Sequence, residues 1–228
     1  MPGTIARIVD SVHIEVMTNL VPPKRSTYRH GDLRHALIAA GTELARTGGP
    51  DAVVLREATR RVGVAPNAAY RHFADRRALL EAVCSASQSL LAVAIEQELA
   101  RVRVAGDPAE VARARLRACG TGYLRFAQKE PGLFRTAFSA SRDLEKVGDP
   151  ERAGASGLSP LQLLGSVLDE LVEAGALPKE RRPAAEFLAW SSVHGLAMLL
   201  IDGPLRALDK KKRHAIVERL LDMVEQGL

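Results

Sequence analysis

The chain has 228 residues, of which 46% are hydrophobic, 26% charged and 4% aromatic, and its net charge is +5. This balance excludes a disordered protein, and the length suffices for one large or two modest domains with a buried core. The sequence shows no apolar run near transmembrane length and no secretory pattern at its start, so we expect a cytoplasmic protein without membrane contact.

Residues 1–27 are predicted to form a flexible N-terminal arm, which Pro22 and Pro23 separate from the first helix. Two interpretations of Lys24 and Arg25 stay open. They either belong to a basic arm that reaches DNA phosphates or the adjacent minor groove, or they lie in a tail without a partner.

The first convincing helix is predicted at Gly31–Arg46, and the stretch Leu55–Leu80 follows it. This stretch indicates two short helices joined at Gly63, where a tight turn requires a positive φ. Pro66 opens the second short helix, where its missing N–H costs nothing, and the run Tyr70–Phe73 continues that helix. Small and polar outward residues framed by arginines are what a helix entering the DNA major groove requires.

The run Gly63–Phe73, together with Arg77–Leu80, resembles the helix-turn-helix signature of TetR-type transcriptional regulators. Tyr28–Gly41 resembles the first helix of the same family. The resemblance implies a three-helix DNA-binding domain at residues 28–83, followed by a larger helical domain for ligand binding and dimerisation at residues 84–228.

Four residues depart from the family pattern. Two of these departures remove a hydroxyl that usually caps a helix, which costs about 1 kcal/mol each in local helix stability. The four residues are Val54, Thr59, Ala65 and Asn67.

The outward residues of this domain are the candidate DNA contacts. Asn67 and Arg71 are of the types that contact adenine and guanine edges, and Tyr70 and His72 are expected at phosphates. From Pro22 to Val83 the chain has eleven Lys or Arg and six Asp or Glu, so the net positive charge lies in this segment. The predicted DNA-binding residues are Lys24, Arg25, Tyr28, Arg56, Ala65, Pro66, Asn67, Ala68, Tyr70, Arg71, His72, Arg76 and Arg77.

The rest of the chain shows helical periodicity and no alternating strand pattern, so the predicted fold is all-α. The segment Ser139–Pro160 is rich in Ser, Gly, Asp and Pro, and is predicted to be a mobile surface loop. Asp75 is predicted to cap a long helix that runs to about Arg103, with an apolar stripe formed by Leu80, Val83, Leu90 and Ile95. The next predicted helix, at about Ala109–Lys129, has Leu116, Cys119, Tyr123 and Phe126 on one face. Further helices are predicted at about Leu161–Gly175, Phe187–Ile201 and Ile216–Val224.

Two segments, Tyr123–Phe138 and Trp190–Gly195, resemble the branch of the TetR family named for a Trp-His-Gly signature in its C-terminal domain. The resemblance implies a homodimer with a small-molecule cavity in each subunit. The alternative is that the same apolar faces and aromatic rings fill the core of one subunit. The predicted ligand-binding residues are Tyr123, Phe126, Phe134, Phe138, Trp190 and His194, with Arg125 or His194 as polar anchors. The predicted dimer interface is Leu161, Leu164, Leu168, Leu171, Val193, Leu196 and Leu200.

The sequence carries no signature of an enzyme. It has no nucleophile elbow, no Gly-rich phosphate loop after a strand, and no His or Cys cluster with metal-ligand spacing, so we expect no catalytic residue, metal or cofactor. Cys84 and Cys119 lie far apart on apolar helix faces, as core cysteines do.

The leading hypothesis is a repressor that binds a pseudo-palindromic operator in double-stranded DNA as a homodimer and responds to a small, largely apolar effector. One alternative is a basic helical protein that binds DNA without sequence preference. The other is an all-α enzyme or binding protein with a coincidental glycine turn.

Overall fold

The computed structural model describes residues 30–140 and 148–228, with side chains from residue 33 onward. All regular elements in these two ranges are helical, which confirms the predicted all-α fold. The predictions for Lys24, Arg25, Tyr28 and the arm at residues 1–27 lie outside the described residues. The helices are α1 (His30–Gly48), α2 (Leu55–Val62), α3 (Pro66–Ala69), α4 (Arg76–Leu99), α5 (Pro108–Lys129), α6 (Pro131–Ser139), α7 (Pro160–Glu173), α8 (Ala185–Ile201) and α9 (Lys210–Gly227).

The glycine turn between α2 and α3 has the predicted geometry, because Gly63 adopts the left-handed conformation with φ 76°. The second short helix differs from the prediction. α3 is a single turn, and Tyr70–Phe73 follow it as a turn in which the Phe73 N–H donates to the Ala69 carbonyl at 2.9 Å. The next helix, α4, begins after Asp75, which adopts an extended conformation and caps it.

α4 connects the two predicted domains without a break. The Asp75 carboxylate accepts a hydrogen bond from the Ala78 N–H at 2.8 Å, as its predicted capping role requires. The helix ends at Leu99 rather than near Arg103. Leu90, predicted on the inner stripe, is 37% exposed, whereas Leu91 is fully buried, because α4 packs on several elements and its inner face shifts along its length.

α4 also corrects the expectation that no apolar run reaches transmembrane length. Within the described residues, it is the one helix whose length and composition would allow it to cross a membrane. However, 56% of its apolar window is buried inside the protein, and the core helix of a globular protein meets the same test.

The C-terminal helices α6 to α9 pack around α5. α5 also lies directly against α4, since a Cβ atom at Gly122 would come within 2.7 Å of the Ile95 Cα atom. The predicted inner stripe of α5 is confirmed, because Leu116, Cys119 and Tyr123 are all buried.

Residues 148–159, which we call the strap, lie between α6 and α7 in the chain and pack against α4. The Ser89 hydroxyl donates to the Ala153 carbonyl at 2.6 Å. The Glu96 carboxylate accepts from the backbone N–H groups of residues 155–156, each at 2.9 Å. The prediction of a mobile surface loop is therefore wrong for the strap; residues 141–147 of that loop lie outside the described part of the chain.

A second connection between the domains runs from the start of α6 to the end of α1. A Cβ atom at Gly132 would come within 2.3 Å of the Ala45 carbonyl oxygen, so the two backbones are in direct contact. Beside this contact, the Arg46 guanidinium pairs with the Glu130 carboxylate at 2.5 Å.

Candidate DNA-binding surface and ligand cavity

The outward face of α3 and the following turn carries the residues that the sequence placed at DNA bases. Asn67 and Arg71 are exposed, and 57% of Tyr70 is accessible. Ala69, on the opposite face, is fully buried against the core of the domain. The short helix is thus held on the core of the domain by its buried face, and its polar side chains point outward.

Two arginines of α2 are engaged by the same acid. The Glu57 carboxylate lies 2.7 Å from the Arg60 guanidinium and 3.5 Å from that of Arg61. The hydrogen bond from Arg60 lowers the pKa of Glu57 to about 2, so this acid stays ionised at neutral pH. Part of the positive charge of α2 is therefore neutralised within the helix.

The remaining exposed arginines differ in their availability. Arg77 pairs with Glu81 at 2.9 Å. Arg56 and Arg71 are exposed, and their side chains make no ion pair or hydrogen bond with any residue in the described ranges. These two are the arginines of the surface whose charge is fully available to a nucleic acid.

Arg76, also predicted at DNA, is exposed and makes hydrogen bonds to backbone carbonyls of the same domain. Its Nε donates to the Val53 carbonyl and one terminal nitrogen donates to the Pro50 carbonyl, both at 2.8 Å. These bonds hold the start of α4 on the connection between α1 and α2. A positioning role follows from this geometry, whereas its DNA contact stays a prediction.

A cavity of about 290 Å³ lies in the C-terminal domain and is lined by residues of α4 to α9 and the strap. Most of its wall is aliphatic or aromatic. The wall consists of Gln88, Ile95, Leu116, Arg117, Cys119, Gly120, Tyr123, Phe138, Arg152, Ser159, Pro160, Leu161, Leu164, Ala189, Trp190, Val193, Leu221 and Val224.

Three aromatic side chains form a hydrogen-bonded group at this wall. Burial raises the pKa of Tyr123 and lowers that of His194, so both are neutral near pH 7. The Tyr123 hydroxyl accepts from the Trp190 Nε1–H at 3.0 Å and shares a hydrogen bond with Nδ1 of His194 at 2.8 Å. These two hydrogen bonds hold the hydroxyl between the two rings.

The cavity wall includes only part of the predicted ligand-binding set. Tyr123, Phe138 and Trp190 line the cavity, but Phe126, Phe134 and His194 do not. Phe134 is fully buried, with its ring centroid 5.3 Å from those of Tyr123 and Phe138, and so fills the core beside the cavity. Arg125, predicted as a polar anchor, is also outside the cavity and pairs with Glu98 at 2.7 Å.

Arg152 is a wall residue that sequence reasoning missed. It is 6% exposed, and its Nε has no hydrogen-bond partner. Among the described residues we find no ion pair or hydrogen bond to any part of this guanidinium. Arg213 also has an unbonded Nε, but its terminal nitrogen is within hydrogen-bond distance of two carbonyls. The only sequence signal at Arg152 was a basic residue in a segment rich in turn formers.

Most residues of the predicted dimer interface lie inside the protomer. Six of the seven are buried there, namely Leu164, Leu168, Leu171, Val193, Leu196 and Leu200. Leu161, Leu164 and Val193 line the cavity.

α8 also has an apolar face that points away from the protomer and contains none of the predicted interface residues. Its large side chains, with exposed fractions from 36% to 62%, are Phe187, Leu188, Met198 and Leu199. Gly195 lies among them, and a Cβ atom there would meet no atom of the protomer within 4 Å.

Comparisons with known protein families agree with this architecture. Residues 37–83 match the family model described as bacterial regulatory proteins, tetR family. Residues 116–224 match the model described as the tetracyclin repressor-like, C-terminal domain. A search of functionally curated proteins finds no match to the sequence.

Solved structures with the same fold cover nearly the whole chain. A protein of unknown function from Rhodococcus sp. RHA1 is 25% identical, with a TM-score of 0.64, and the match covers 89% of this chain and 98% of that one. A TetR-family transcriptional regulator from Pectobacterium atrosepticum is 20% identical, with a TM-score of 0.58 and coverage of 90% and 96%. RolR in complex with resorcinol is 21% identical, with a TM-score of 0.58 and coverage of 85% and 88%.

Proposed function

This chain belongs to the TetR family of DNA-binding transcriptional regulators, and on that premise we propose that it is a repressor which a small, largely apolar ligand releases from a pseudo-palindromic operator. As a member of this family it is a regulator and not an enzyme. We place the repressor in the cytoplasm, with residues 28–83 as its DNA-binding domain and residues 84–228 as its ligand-binding and dimerisation domain.

The observation that carries sequence-specific binding is the pair Asn67 and Arg71 on the outward side of the unit formed by α2, α3 and the turn after α3. Both side chains are exposed and Arg71 has no partner in the described chain. Asn forms paired hydrogen bonds with adenine, and Arg with guanine, in the major groove. Arg56 supplies a further unpaired charge for the phosphate backbone.

The test compares Asn67→Ala with the parent protein on a duplex selected from a random DNA library and on its scrambled version. Selected DNA should bind at least ~10³-fold more tightly than scrambled DNA, with a salt-dependent component on both. Asn67→Ala should cost about 1–3 kcal/mol on the selected duplex and little on the scrambled one. Fluorescence anisotropy at several salt concentrations measures both affinities.

The matched control is Arg77→Ala, because Arg77 is exposed on the same domain but already paired with Glu81. It should weaken both duplexes by a similar, small factor. Equal affinity of the parent protein for the two duplexes would favour the alternative function, DNA binding without sequence preference.

The second part of the proposal is a homodimer in which the outward face of α8 packs against a second copy of this chain. The unit formed by α2, α3 and the turn after α3 (Leu55–Phe73), which we call the reading unit, covers only a few base pairs. Specific binding therefore requires two reading units about one helical turn apart. Glycine inside a helix costs about 1 kcal/mol relative to alanine, and the protomer itself offers no reason for Gly195. A helix of the partner subunit crossing at this point supplies that reason.

The dimer is tested with Leu188→Glu, which places a charge on a side chain that is 62% exposed in the protomer. We expect the parent protein to sediment as a dimer and Leu188→Glu to sediment as a folded monomer with weaker operator binding. Val104→Glu is the control, since Val104 is 44% exposed but distant in sequence from α8. A parent protein that is monomeric at micromolar concentration contradicts the proposed dimer.

The ligand is the third part, and the cavity supports it. Its volume of about 290 Å³ is near the lower end of small-molecule sites, about 300–1,000 Å³, and its wall is mostly apolar. RolR, a structure of similar fold, holds resorcinol, a small aromatic molecule. We propose that an effector in this cavity favours one spacing of the two reading units, since only differential affinity shifts the equilibrium between them.

A further inference from the structure

Within the described ranges, Arg152 carries a positive charge into the cavity and pairs with no acid. Arginine is almost never fully buried unless it is paired, because removing a guanidinium from water is costly. Here the side chain is 6% exposed and lines the cavity, and its Nε lacks any hydrogen-bond partner.

Three acids of the strap or in contact with it have other partners. Glu151, the neighbour of Arg152 in the chain, pairs with Arg34 of α1 at 3.0 Å. Asp149 caps the short 3-10 helix Pro150–Arg152 by accepting from the Glu151 N–H at 3.0 Å. Glu96 accepts from the backbone of residues 155–156. These contacts hold the strap in place, and none of the three carboxylates is paired with the guanidinium of Arg152.

Three other polar groups of the wall, those of Arg117, Tyr123 and Trp190, already have partners within the protein. Arg117 faces three acids of α9, the carboxylates of Glu218, Asp222 and Glu225. The hydroxyl of Tyr123 and the indole N–H of Trp190 bind each other. Uncompensated charge is therefore concentrated at the Arg152 end of an otherwise apolar cavity.

From this arrangement we propose that the effector is a small organic anion, with one carboxylate on an apolar body, and that the carboxylate binds the guanidinium of Arg152. The planar guanidinium matches a carboxylate with two parallel hydrogen bonds. The apolar body lies against Leu116, Leu164 and Val224, and the small volume limits it to one ring or a short chain. This inference rests on the proposal that the cavity holds the effector.

The experiment uses the full-length protein and two matched probe pairs, benzoate with benzamide and octanoate with octanamide, at constant ionic strength. Calorimetry and the thermal shift of the free protein measure binding, and anisotropy of the selected duplex measures DNA release. We expect at least one carboxylate to bind ~10-fold or more tightly than its amide and to release DNA. In Arg152→Met that preference should disappear.

A ligand-independent readout comes from the same variant. Because Arg152 has no partner, Arg152→Met should leave the thermal midpoint unchanged or raise it. The control is Arg115→Met, since Arg115 pairs with Glu170 at 2.5 Å in the same domain. It should lower the midpoint and keep the preference for carboxylate.

The failures of the two proposals are distinguishable. Amides that bind as tightly as acids, together with a destabilised Arg152→Met, overturn the anion inference but leave an apolar effector in place. If neither acids nor amides bind or release DNA, the ligand-responsive function fails, and the anion inference fails with it.

Discussion

Tyr123 holds two neighbouring side chains in place through one hydroxyl. Because it is hydrogen-bonded to both Trp190 and His194, it fixes both side chains across the contact between α5 and α8. Edge-to-face packing of the Tyr123 ring on Phe134, at 5.3 Å, adds a contact with α6. The cavity wall at this end is therefore set by one buried residue.

Tyr123→Phe tests this role because it removes the hydroxyl and keeps the ring. The indole N–H and the imidazole Nδ1 each lose their partner, and leaving buried polar groups unsatisfied should reduce the free energy of unfolding by about 1–3 kcal/mol. Urea unfolding followed by tryptophan fluorescence measures the change. Tyr70→Phe is the control, since Tyr70 is 57% exposed; equal stability of the two variants would show that the hydroxyl contributes nothing.

α2 and α3 lack side-chain caps at their N-termini, as the sequence indicated. Val54 stands at the cap position of α2 with φ −128° and ψ 130°, which is the conformation of a capping residue, but no side chain accepts from the first turn. Ala65, at the cap position of α3, likewise has no side chain that could accept a hydrogen bond from the first turn. α2 is therefore held by its buried face and by the turn at Gly63.

Val54→Ser should stabilise the protein by about 0.5–1 kcal/mol, because serine supplies the missing acceptor and Glu57 stands three residues later, as in a capping box. The free energy of unfolding in urea measures the gain. Val104→Ser is the control, since Val104 has similar exposure, 44%, but lies outside any helix. A gain no larger than that of the control would show that the first turn of α2 is satisfied by water.

The DNA-binding unit was predictable from sequence because its signals are local. A turn glycine, a proline at the first helical position and a capping Asp75 each act on their own neighbours, and all three are confirmed. The inward face of α8 was not predictable, because that helix is apolar on most sides and periodicity cannot choose among its faces. The place of Arg152 in the cavity wall could not be predicted for another reason. Its burial depends on Ser89 and Glu96, which lie far away in the sequence.

Two sets of contacts, in addition to the continuous α4, link the cavity to the DNA-binding unit. Glu151, beside Arg152, pairs with Arg34, whose guanidinium also lies 5.7 Å from the centre of the Phe73 ring at the end of the reading unit. The second link is the backbone contact of α6 with α1 at Gly132. A displacement of the strap or of α6 thus reaches α1 directly, which is what a ligand-controlled spacing of the reading units requires.

Gly132→Ala tests the second link. The added Cβ atom would lie 2.3 Å from the Ala45 carbonyl oxygen, so α6 and α1 must separate. We expect a loss of about 1–3 kcal/mol in the free energy of unfolding. Operator affinity should change with it, because α1 supports the reading unit. Both are measured on the same preparation, by urea unfolding and by anisotropy of the selected duplex.

The matched control for this substitution is Gly165→Ala in α7, where the nearest atom would be 3.8 Å from the new Cβ atom. That site has room, so alanine should add about 0.5–1 kcal/mol through its higher helix propensity and leave DNA binding unchanged. The two glycines therefore predict changes of opposite sign for the same chemical substitution. If Gly132→Ala were as stable as Gly165→Ala and bound operator normally, α6 and α1 would not be in tight contact, and the coupling would have to pass through α4 and the strap alone.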